Sequence, residues 1–254
     1  MSRLKAPHVF AALFVYSATT YVFYHGYQVY LLPAAKKDAH LPHNQHKLPP
    51  NAEKYDQTLN DSQTVFWDVF GRRRSLLHKA HGVCLETSCG TLRNLSEYNL
   101  HSVDSLTMVD LDPQMVRLAT EKLPEANPSK LSCLVMDSES LAFAANSFDT
   151  VIQTFGLCSV ANPVKSLREM NRVLKPAGKI LLVEHGRTSH TLLNTVLDKT
   201  SAAHAAKFGC WWNRDIVGLL AQADMNVESI DTADFGTTYY VVCGKSTRAQ
   251  SAAI

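Results

Sequence analysis

Short apolar runs alternate with segments of helical periodicity between residues 82 and 243. This alternation is typical of a parallel sheet that is covered by helices on both faces, so it predicts an α/β fold. The apolar runs predict seven strands, at residues 82–87, 105–111, 131–136, 148–154, 178–184, 225–231 and 237–243. The helical periods lie at residues 91–100, 113–122, 162–174, 190–206 and 213–222. We therefore expect a seven-stranded, doubly wound and mostly parallel sheet.

The connections between these elements predict two further details. Only a short segment separates the last two strands, whereas a parallel pair needs a crossover of about a dozen residues or more. The last two strands are therefore predicted to be antiparallel. Asn213 stands at the start of the last helical period and is predicted to be its N-cap.

Composition excludes several classes of protein. The chain has 254 residues, of which 46% are hydrophobic and 19% charged, as in an ordinary globular protein. Its formal net charge of +2 supplies no broad positive field, so nucleic acid is not an expected partner. The six cysteines are scattered without a CxxC pair, and this spacing predicts neither a disulfide scaffold nor a metal site.

An uncharged segment near the N-terminus predicts a membrane anchor. No Asp, Glu, Lys or Arg occurs from Ala6 to Ala35, and residues 9–32 are mostly apolar or aromatic. As a helix, this segment would be roughly 36 Å long, enough for a hydrocarbon core of about 30 Å. A buried helix of a soluble domain and a cleaved secretory signal are the alternatives. Basic residues on both sides leave the orientation open.

The predicted organisation has five parts. They are a basic N-terminal segment (1–8), a transmembrane helix (9–32), a Pro-rich linker (33–52), a globular domain (53–244) and a tail (245–254). The basic run from Arg72 to Arg74 is either a solvated helix end or a contact for anionic lipid headgroups. The chain has no acidic residue before Asp38, which fits mitochondrial import as well as an endoplasmic reticulum signal anchor.

Small and polar residues follow three of the predicted strands. Glu86 ends the first strand and precedes a turn of small residues around Gly90. The second strand runs into Asp110, twenty residues after Gly90, and the third ends at Asp137 and Ser138. Doubly wound folds bind a ligand at such strand ends, with a carboxylate on the ribose hydroxyls. The three strand ends together predict a nucleoside site, with helix capping as the alternative role of the two aspartates.

A dinucleotide is not the expected ligand. Only Gly90 remains of a G-x-G-x-x-G fingerprint, and Ser88 and Leu92 obstruct the close approach that a pyrophosphate needs. A ligand without phosphates therefore suits the turn better.

Four ordered motifs resemble those of class I S-adenosylmethionine-dependent methyltransferases, and the resemblance covers residues 53–244. The motifs are Leu85-Glu86-Thr87-Ser88-Cys89-Gly90-Thr91, Val109-Asp110-Leu111-Asp112-Pro113, Asp137 ahead of Ser147-Phe148-Asp149-Thr150-Val151, and Arg172-Val173-Leu174-Lys175-Pro176-Ala177-Gly178. Within that superfamily the chain is most similar to the ubiquinone and menaquinone methyltransferase-like branch. Residues 155–160, 183–187 and 207–215 further resemble fungal membrane-anchored methyltransferase-like proteins of the mitochondrial inner membrane.

The resemblance implies a class I methyltransferase fold with S-adenosyl-L-methionine as the cofactor. The cofactor-binding residues that it implies are Glu86, Ser88, Gly90, Thr91, Asp110, Leu111, Asp137 and Ser138. Glu86 and the Gly90 turn would hold the methionine end, and Asp110 the ribose hydroxyls. Leu111 would cover an adenine face, and Asp137 would bind the adenine amino group. The family usually has glycine where this chain has Ser88 and Leu92, a departure that bears on cofactor affinity.

The acceptor side is less constrained by the sequence. Methyl transfer from a sulfonium is an in-line displacement, so the protein mainly aligns the reacting atoms. A hydroxyl or activated-carbon acceptor also needs a base, and His185 or Glu184 at the end of the fifth strand is placed to supply it. A structural role at a helix start is the alternative for His185. Trp211 and Trp212 either wall the acceptor pocket or pack against the core or lipid.

We therefore expect a membrane-anchored methyltransferase that acts on a small, lipid-like or quinone-like acceptor. Its expected location is the mitochondrial inner membrane, as a single-pass protein that contacts lipid through residues 9–32. The endoplasmic reticulum membrane is the alternative location. The alternative function is a degenerate methyltransferase fold that serves as an assembly or binding factor, since fold does not secure function. The missing glycines oppose a third candidate, a nicotinamide oxidoreductase.

Overall fold

The computed structural model describes residues 71–124 and 130–246. The predicted transmembrane helix 9–32, the linker 33–52 and residues 247–254 of the tail lie outside these ranges. No helix within the described ranges is long and apolar enough to cross a membrane.

The described residues form seven strands and five α-helices. The strands are β1 (Gly82–Thr87), β2 (Val103–Asp110), β3 (Leu131–Val135), β4 (Phe148–Thr154), β5 (Leu174–His185), β6 (Asn226–Ala233) and β7 (Thr238–Gly244). The helices are α1 (Arg72–Leu77), α2 (Pro113–Glu121), α3 (Pro163–Val173), α4 (Thr191–Phe208) and α5 (Ile216–Gln222). Short 3₁₀ helices span Leu95–Glu97 and Asp234–Gly236.

All seven strands join one sheet in the order β3-β2-β1-β4-β5-β7-β6. β1 pairs in parallel with β2 and β4, while β7 runs antiparallel between β5 and β6. The predicted α/β class, the seven strands and the antiparallel final pair are therefore confirmed. β5 begins at Leu174, earlier than predicted, because Leu174 pairs with Phe148 before a register irregularity.

Polar side chains and prolines begin three of the helices. Asp112 caps α2 by accepting the backbone N–H of Gln114, and Asn162 caps α3 by accepting that of Lys165. Proline follows both caps, where its missing N–H costs nothing. Asp215 caps α5 through the N–H of Gly218.

Two local predictions were wrong. Residues 91–100 do not form an α-helix, because Leu92 lies in the left-handed region (φ 64°) and interrupts it. The segment is a series of turns followed by the 3₁₀ helix. Asn213 is not an N-cap either, since its side chain bonds Asp198 and Ser201, and Asp215 takes the capping position.

The core lies on both faces of the sheet because neighbouring strand residues alternate between them. In β5, Ile180 and Leu182 pack on the face covered by α3 and α5. Leu181 and Val183 pack on the opposite face, with residues of α1 and α2. Two independent apolar layers therefore hold the strands whose ends form the site.

The basic run Arg72–Arg74 begins α1 and is partly engaged by other segments of the protein. Arg72 Nη1 lies 3.1 Å from the carbonyl oxygen of Thr232, and Arg74 Nε lies 2.8 Å from a carboxylate oxygen of Glu97. The lipid-contact interpretation of this run stays a prediction.

Asn171 joins the chain after β7 to α3. Its side chain accepts the backbone N–H of Ser246 at 2.8 Å and donates to the carbonyl oxygen of Ser246, and both residues are buried. Asn171→Ala should therefore lower the free energy of unfolding by about 1 to 3 kcal/mol, because it leaves buried backbone groups unpaired. Urea denaturation measures this change. Asn226→Ala, at an exposed asparagine, is the control and should stay within about 0.5 kcal/mol of the parent. Equal losses in the two variants would contradict the assignment.

Candidate active site

The parallel strands end at one edge of the sheet, and the candidate residues meet there. β1, β2 and β3 carry the predicted cofactor residues at their carboxyl ends, and β5 carries Glu184 and His185. β4 lies between β1 and β5 in the sheet order. The two predicted groups of residues are therefore separated by the width of one strand.

Glu86 is buried at the end of β1, with 1% of its surface exposed. Its two carboxylate oxygens accept hydrogen bonds from the Tyr98 hydroxyl at 2.8 Å and the Asn94 amide at 2.7 Å. Burial raises the pKa of Glu86 to about 7, although the bonds from Tyr98 and Asn94 act in the opposite direction. The Glu86 carboxyl group can therefore change charge near neutral pH, according to what binds beside it.

Two buried amide oxygens close to the end of β1 have no hydrogen-bond donor within the described part of the chain. They are Oδ1 of Asn94 and Oε1 of Gln153. The other end of the Asn94 amide bonds Glu86 and Thr154, and that of Gln153 bonds Ser88. Buried acceptors without donors are costly, so they indicate a ligand that donates hydrogen bonds. Sequence reasoning missed both residues, because Asn94 was assigned to a helix and Gln153 to the interior of a strand.

The turn after β1 has the backbone conformation that glycines favour, although two of its residues are not glycine. Ser88, Gly90 and Leu92 have φ values of 54°, 52° and 64°. A non-glycine residue pays roughly 1 to 2 kcal/mol for this conformation. Ser88 and Leu92 therefore adopt the left-handed conformation without being glycine. No heavy atom lies within 4 Å of the position where a Cβ of Gly90 would stand, which leaves open space at the turn. Thr91, by contrast, is buried.

The turn and the end of β2 are joined by Asp110. Its carboxylate accepts the N–H of Gly90 at 2.8 Å and the N–H of Asp112 at 3.0 Å. Burial raises the pKa of Asp110, and these two bonds oppose that effect. Asp112, not Asp110, caps α2. The capping alternative for Asp110 is therefore not what the structure shows.

The remaining predicted cofactor residues extend the site along β2 and β3. Leu111 follows Asp110 and is 47% exposed, unusual for a large apolar side chain. Asp137 accepts the N–H of Glu139 at 2.8 Å in a turn, and the structure shows no helix beginning there. Ser138 is buried and bonds Ser166.

Glu184 has no exposed surface, and its carboxylate accepts the backbone N–H groups of Gly156 and Leu157 at 3.1 Å. Burial raises the pKa of Glu184 well above its usual range. The carboxylate thus holds the loop that follows β4.

His185 is 7% exposed and stacks on Phe155 with ring centroids 4.3 Å apart. Its Nδ1 lies 3.7 Å from the sulfur of Cys210. The sulfur of Cys158 belongs to the same cluster, in which the three ligand atoms lie within 4.8 Å of one another. The hydrogen bond with Cys210 lowers the pKa of the Cys158 thiol; burial opposes this effect, and a weaker contribution from His185 acts in the same direction as Cys210. The sequence spacing did not indicate this cluster.

A cavity of about 670 Å³ lies between the start of α3 and helix α5. Trp211 and Arg214 line it, together with Glu139 from the segment after β3. Trp212 instead stacks on His204 at 3.9 Å and donates to the carbonyl oxygen of Leu197. The two tryptophans therefore have different surroundings, and Trp211 is the one at the cavity.

Comparison with known proteins shows which proteins this chain resembles. Residues 85–182 match the family model described as a methyltransferase domain. The chain is 32% identical over 208 residues to the mitochondrial methyltransferase OMS1 of Saccharomyces cerevisiae, with 75% of this chain and 44% of that protein covered. It is 29% identical over 154 residues to the ubiquinone/menaquinone biosynthesis C-methyltransferase UbiE of Pseudoalteromonas translucida, with 58% and 61% covered. The chain thus spans less than two thirds of either relative.

Solved structures show the same fold. A SAM-dependent methyltransferase from Aquifex aeolicus superposes with a TM-score of 0.57 at 16% identity, covering 77% of this chain and 99% of that one. An S-adenosylmethionine-dependent methyltransferase from Mesorhizobium loti has a TM-score of 0.55 at 14% identity, with 69% and 96% covered. Residues 85–182 therefore resemble the methyltransferase domain family, and the seven-stranded sheet has the fold of these solved methyltransferase structures.

Proposed function

We propose that the chain is an S-adenosylmethionine-dependent methyltransferase that acts on a small-molecule acceptor. The observation that carries this proposal is the Asp110 carboxylate, which two backbone N–H groups hold at the end of β2, against an open turn at the end of β1. A carboxylate fixed in this way can accept both ribose hydroxyls of a nucleoside.

The residues around the turn fit the methionine end of the cofactor. An ammonium group has three N–H donors, and the end of β1 offers Glu86 together with the unpaired oxygens of Asn94 and Gln153. A ligand ammonium there would complete their hydrogen bonding and neutralise a buried carboxylate. This match favours an amino-acid group over the phosphate of a dinucleotide.

The adenine would lie between the exposed Leu111 and the end of β3. Asp137 and Ser138 stand at that strand end, where a carboxylate or hydroxyl accepts hydrogen bonds from the adenine amino group. Leu111 would lose its unusual exposure to water under the ring.

When bound, the cofactor supplies an activated methyl group on a sulfonium. The chain's own residues then bind, orient and exclude water from the reacting atoms, which is the main requirement of an in-line displacement. Where the acceptor holds a proton and no metal ion is bound to His185, this histidine is the candidate for the group that takes it. Glu184 is less suited to this role, because its carboxylate is committed to the loop after β4 and therefore positions that loop.

The acceptor class is proposed from three features. The cavity beside Trp211 and Arg214 has the volume that small-molecule sites commonly have. A relative is named as a methyltransferase of ubiquinone and menaquinone biosynthesis. The uncharged segment 9–32 would hold the domain at a membrane, where such acceptors partition. A lipid-like or quinone-like acceptor accounts for all three.

The proposed location is the mitochondrial inner membrane, with the segment 9–32 as a single span. The name of the yeast relative supports the compartment, and the length of the uncharged segment supports the span. The alternative of a cofactor-free assembly factor is less favoured, because Ser88 and Leu92 adopt left-handed backbone angles and the turn leaves open space at Gly90.

Asp110→Ala should weaken binding of S-adenosylmethionine more than tenfold, because each lost hydrogen bond to a charged group costs about 1.5 to 3 kcal/mol. Isothermal titration calorimetry measures the affinity, and circular dichroism checks the fold. Asp104→Ala is the matched control, since Asp104 is an exposed aspartate in the same strand. Unchanged affinity in a folded Asp110→Ala protein would remove Asp110 from the site and with it the support for the proposed function.

The raised pKa of Glu86 predicts a pH-dependent affinity. A cofactor ammonium favours the ionised carboxylate, so below pH 7 binding must first remove a proton from Glu86. The affinity for S-adenosylmethionine should therefore rise by up to about tenfold per pH unit towards pH 7 and then level off. Glu86→Gln should abolish this rise, whereas Glu121→Gln, at an exposed glutamate, should keep it. Parallel pH profiles for the parent and Glu86→Gln would show that the ammonium binds elsewhere.

The membrane proposal predicts that the full chain stays in the membrane pellet after alkaline extraction of mitochondria. Val22→Asp combined with Phe23→Lys should release it, because each charge at the centre of a span costs about 2.5 to 3.5 kcal/mol. Release of the parent chain together with soluble matrix proteins would exclude the span.

A further inference from the structure

Cys158, His185 and Cys210 come from three separate segments and meet at the carboxyl edge of the sheet. Cys158 lies in the loop after β4, His185 ends β5, and Cys210 follows the last residue of α4 by two positions. Their Sγ and imidazole nitrogen atoms lie within 4.8 Å of one another, and all three residues are buried. All six cysteines of the chain are free thiols in the structure.

We propose that Cys158, Cys210 and His185 bind a zinc ion. Two thiolates and one imidazole form a ligand set that zinc uses when a fourth position is left for water or a substrate atom. Thiolate sulfur also selects against the hard cations Mg²⁺ and Ca²⁺, which bind oxygen.

The spacing of the ligand atoms fits this ion. Zinc bonds of about 2.3 Å to sulfur and 2.0 to 2.1 Å to nitrogen place neighbouring tetrahedral ligands roughly 3.5 to 3.8 Å apart. The distance from Cys210 Sγ to His185 Nδ1 is 3.7 Å. The remaining separations, which are no more than 4.8 Å, close to the required values by small side-chain rotations.

A zinc ion would also balance the charge of the two thiolates. Two buried thiolates would be costly alone, but a divalent cation between them gives a neutral group. Zinc binding would therefore release two thiol protons to solvent without leaving net charge in the interior.

The backbone around the cluster is held in place before any ion binds. The Glu184 carboxylate accepts the N–H groups of Gly156 and Leu157, and so fixes the loop that carries Cys158. The N–H of Trp211 donates to the carbonyl oxygen of Cys158 at 2.9 Å, which ties the two cysteine segments together. A fully buried carboxylate that only anchors a loop is an expensive feature, and a site that needs the loop in place accounts for it.

The cluster adjoins the proposed cofactor site. Gly156 packs so closely on Gln153 that an added Cβ would lie 2.6 Å from the Gln153 amide nitrogen, and this nitrogen bonds Ser88 in the turn after β1. On its other side, Trp211 lines the cavity. An acceptor hydroxyl or thiol at the fourth zinc position would have a lowered pKa and would lose its proton to solvent. This catalytic role rests on the proposed function, and in it His185 is a ligand instead of a base.

The test measures metal directly. Purified full-length protein should contain about one zinc per chain by inductively coupled plasma mass spectrometry. After removal of zinc with a chelator under reducing conditions, Co²⁺ should produce the intense visible bands of a tetrahedral site and a thiolate charge-transfer band in the near ultraviolet. Cys158→Ser, Cys210→Ser and His185→Gln should each lose these signals while circular dichroism shows a folded domain.

Matched controls are Cys133→Ser and His190→Ala, at a half-exposed cysteine and an exposed histidine outside the cluster. Both should keep the zinc and the cobalt spectrum.

The inference is overturned if the parent chain holds no zinc and gives no cobalt spectrum, if the ligand variants bind as well as the parent, or if peptide mapping finds a Cys158–Cys210 disulfide. A chain that binds S-adenosylmethionine but no zinc overturns this inference alone. A chain that binds zinc but no S-adenosylmethionine overturns the proposed function and leaves the zinc site standing.

Discussion

The hydrogen bonds that pair β1 with β2 on one side and β4 on the other bring the ends of the central strands to one edge of the sheet. Parallel pairing makes the strands end together, so side chains far apart in the chain share one edge. Gly90 and Asp110 are twenty residues apart, yet they meet through a 2.8 Å hydrogen bond because their strands are neighbours in register. The two apolar layers on the faces of the sheet hold that register.

Two buried glutamates at this edge show how differently the same residue can be used. Glu86 is held by side chains, from Tyr98 and Asn94, beside acceptors that still lack donors. Glu184 is held by two backbone N–H groups, and its carboxylate thereby fixes a loop. Burial raises the pKa of both carboxyl groups. The first environment suits a cationic ligand, whereas the second suits the positioning of Cys158 and its neighbours.

The turn after β1 forms although two of its left-handed positions are not glycine. Glycine at such positions lowers the cost of a left-handed backbone, but the surrounding contacts decide whether that backbone forms. Leu92 is buried in the core, and Ser88 accepts a hydrogen bond from Gln153. These interactions offset the strain, and the turn survives with a serine and a leucine in it.

The sequence by itself determined the class of fold, the number of strands, the antiparallel final pair and the alignment of Glu86, Gly90 and Asp110 at strand ends. These features follow from local periodicity and from the short connection before β7, which a linear pattern records directly.

Only the tertiary structure decided the rest. Residues 91–100 do not form the predicted helix, because Leu92 packs in the core with a left-handed backbone and the Tyr98 hydroxyl donates to the buried Glu86. Asn94 and Gln153 lie at the candidate site because they bond residues of neighbouring segments, Thr154 and Ser88 respectively. Cys158, His185 and Cys210 lie 25 or more residues from one another along the chain, and no spacing rule joins them. They meet because β4 and β5 end side by side and α4 returns the chain to the same edge, and distances of that kind exist only after the sheet has formed.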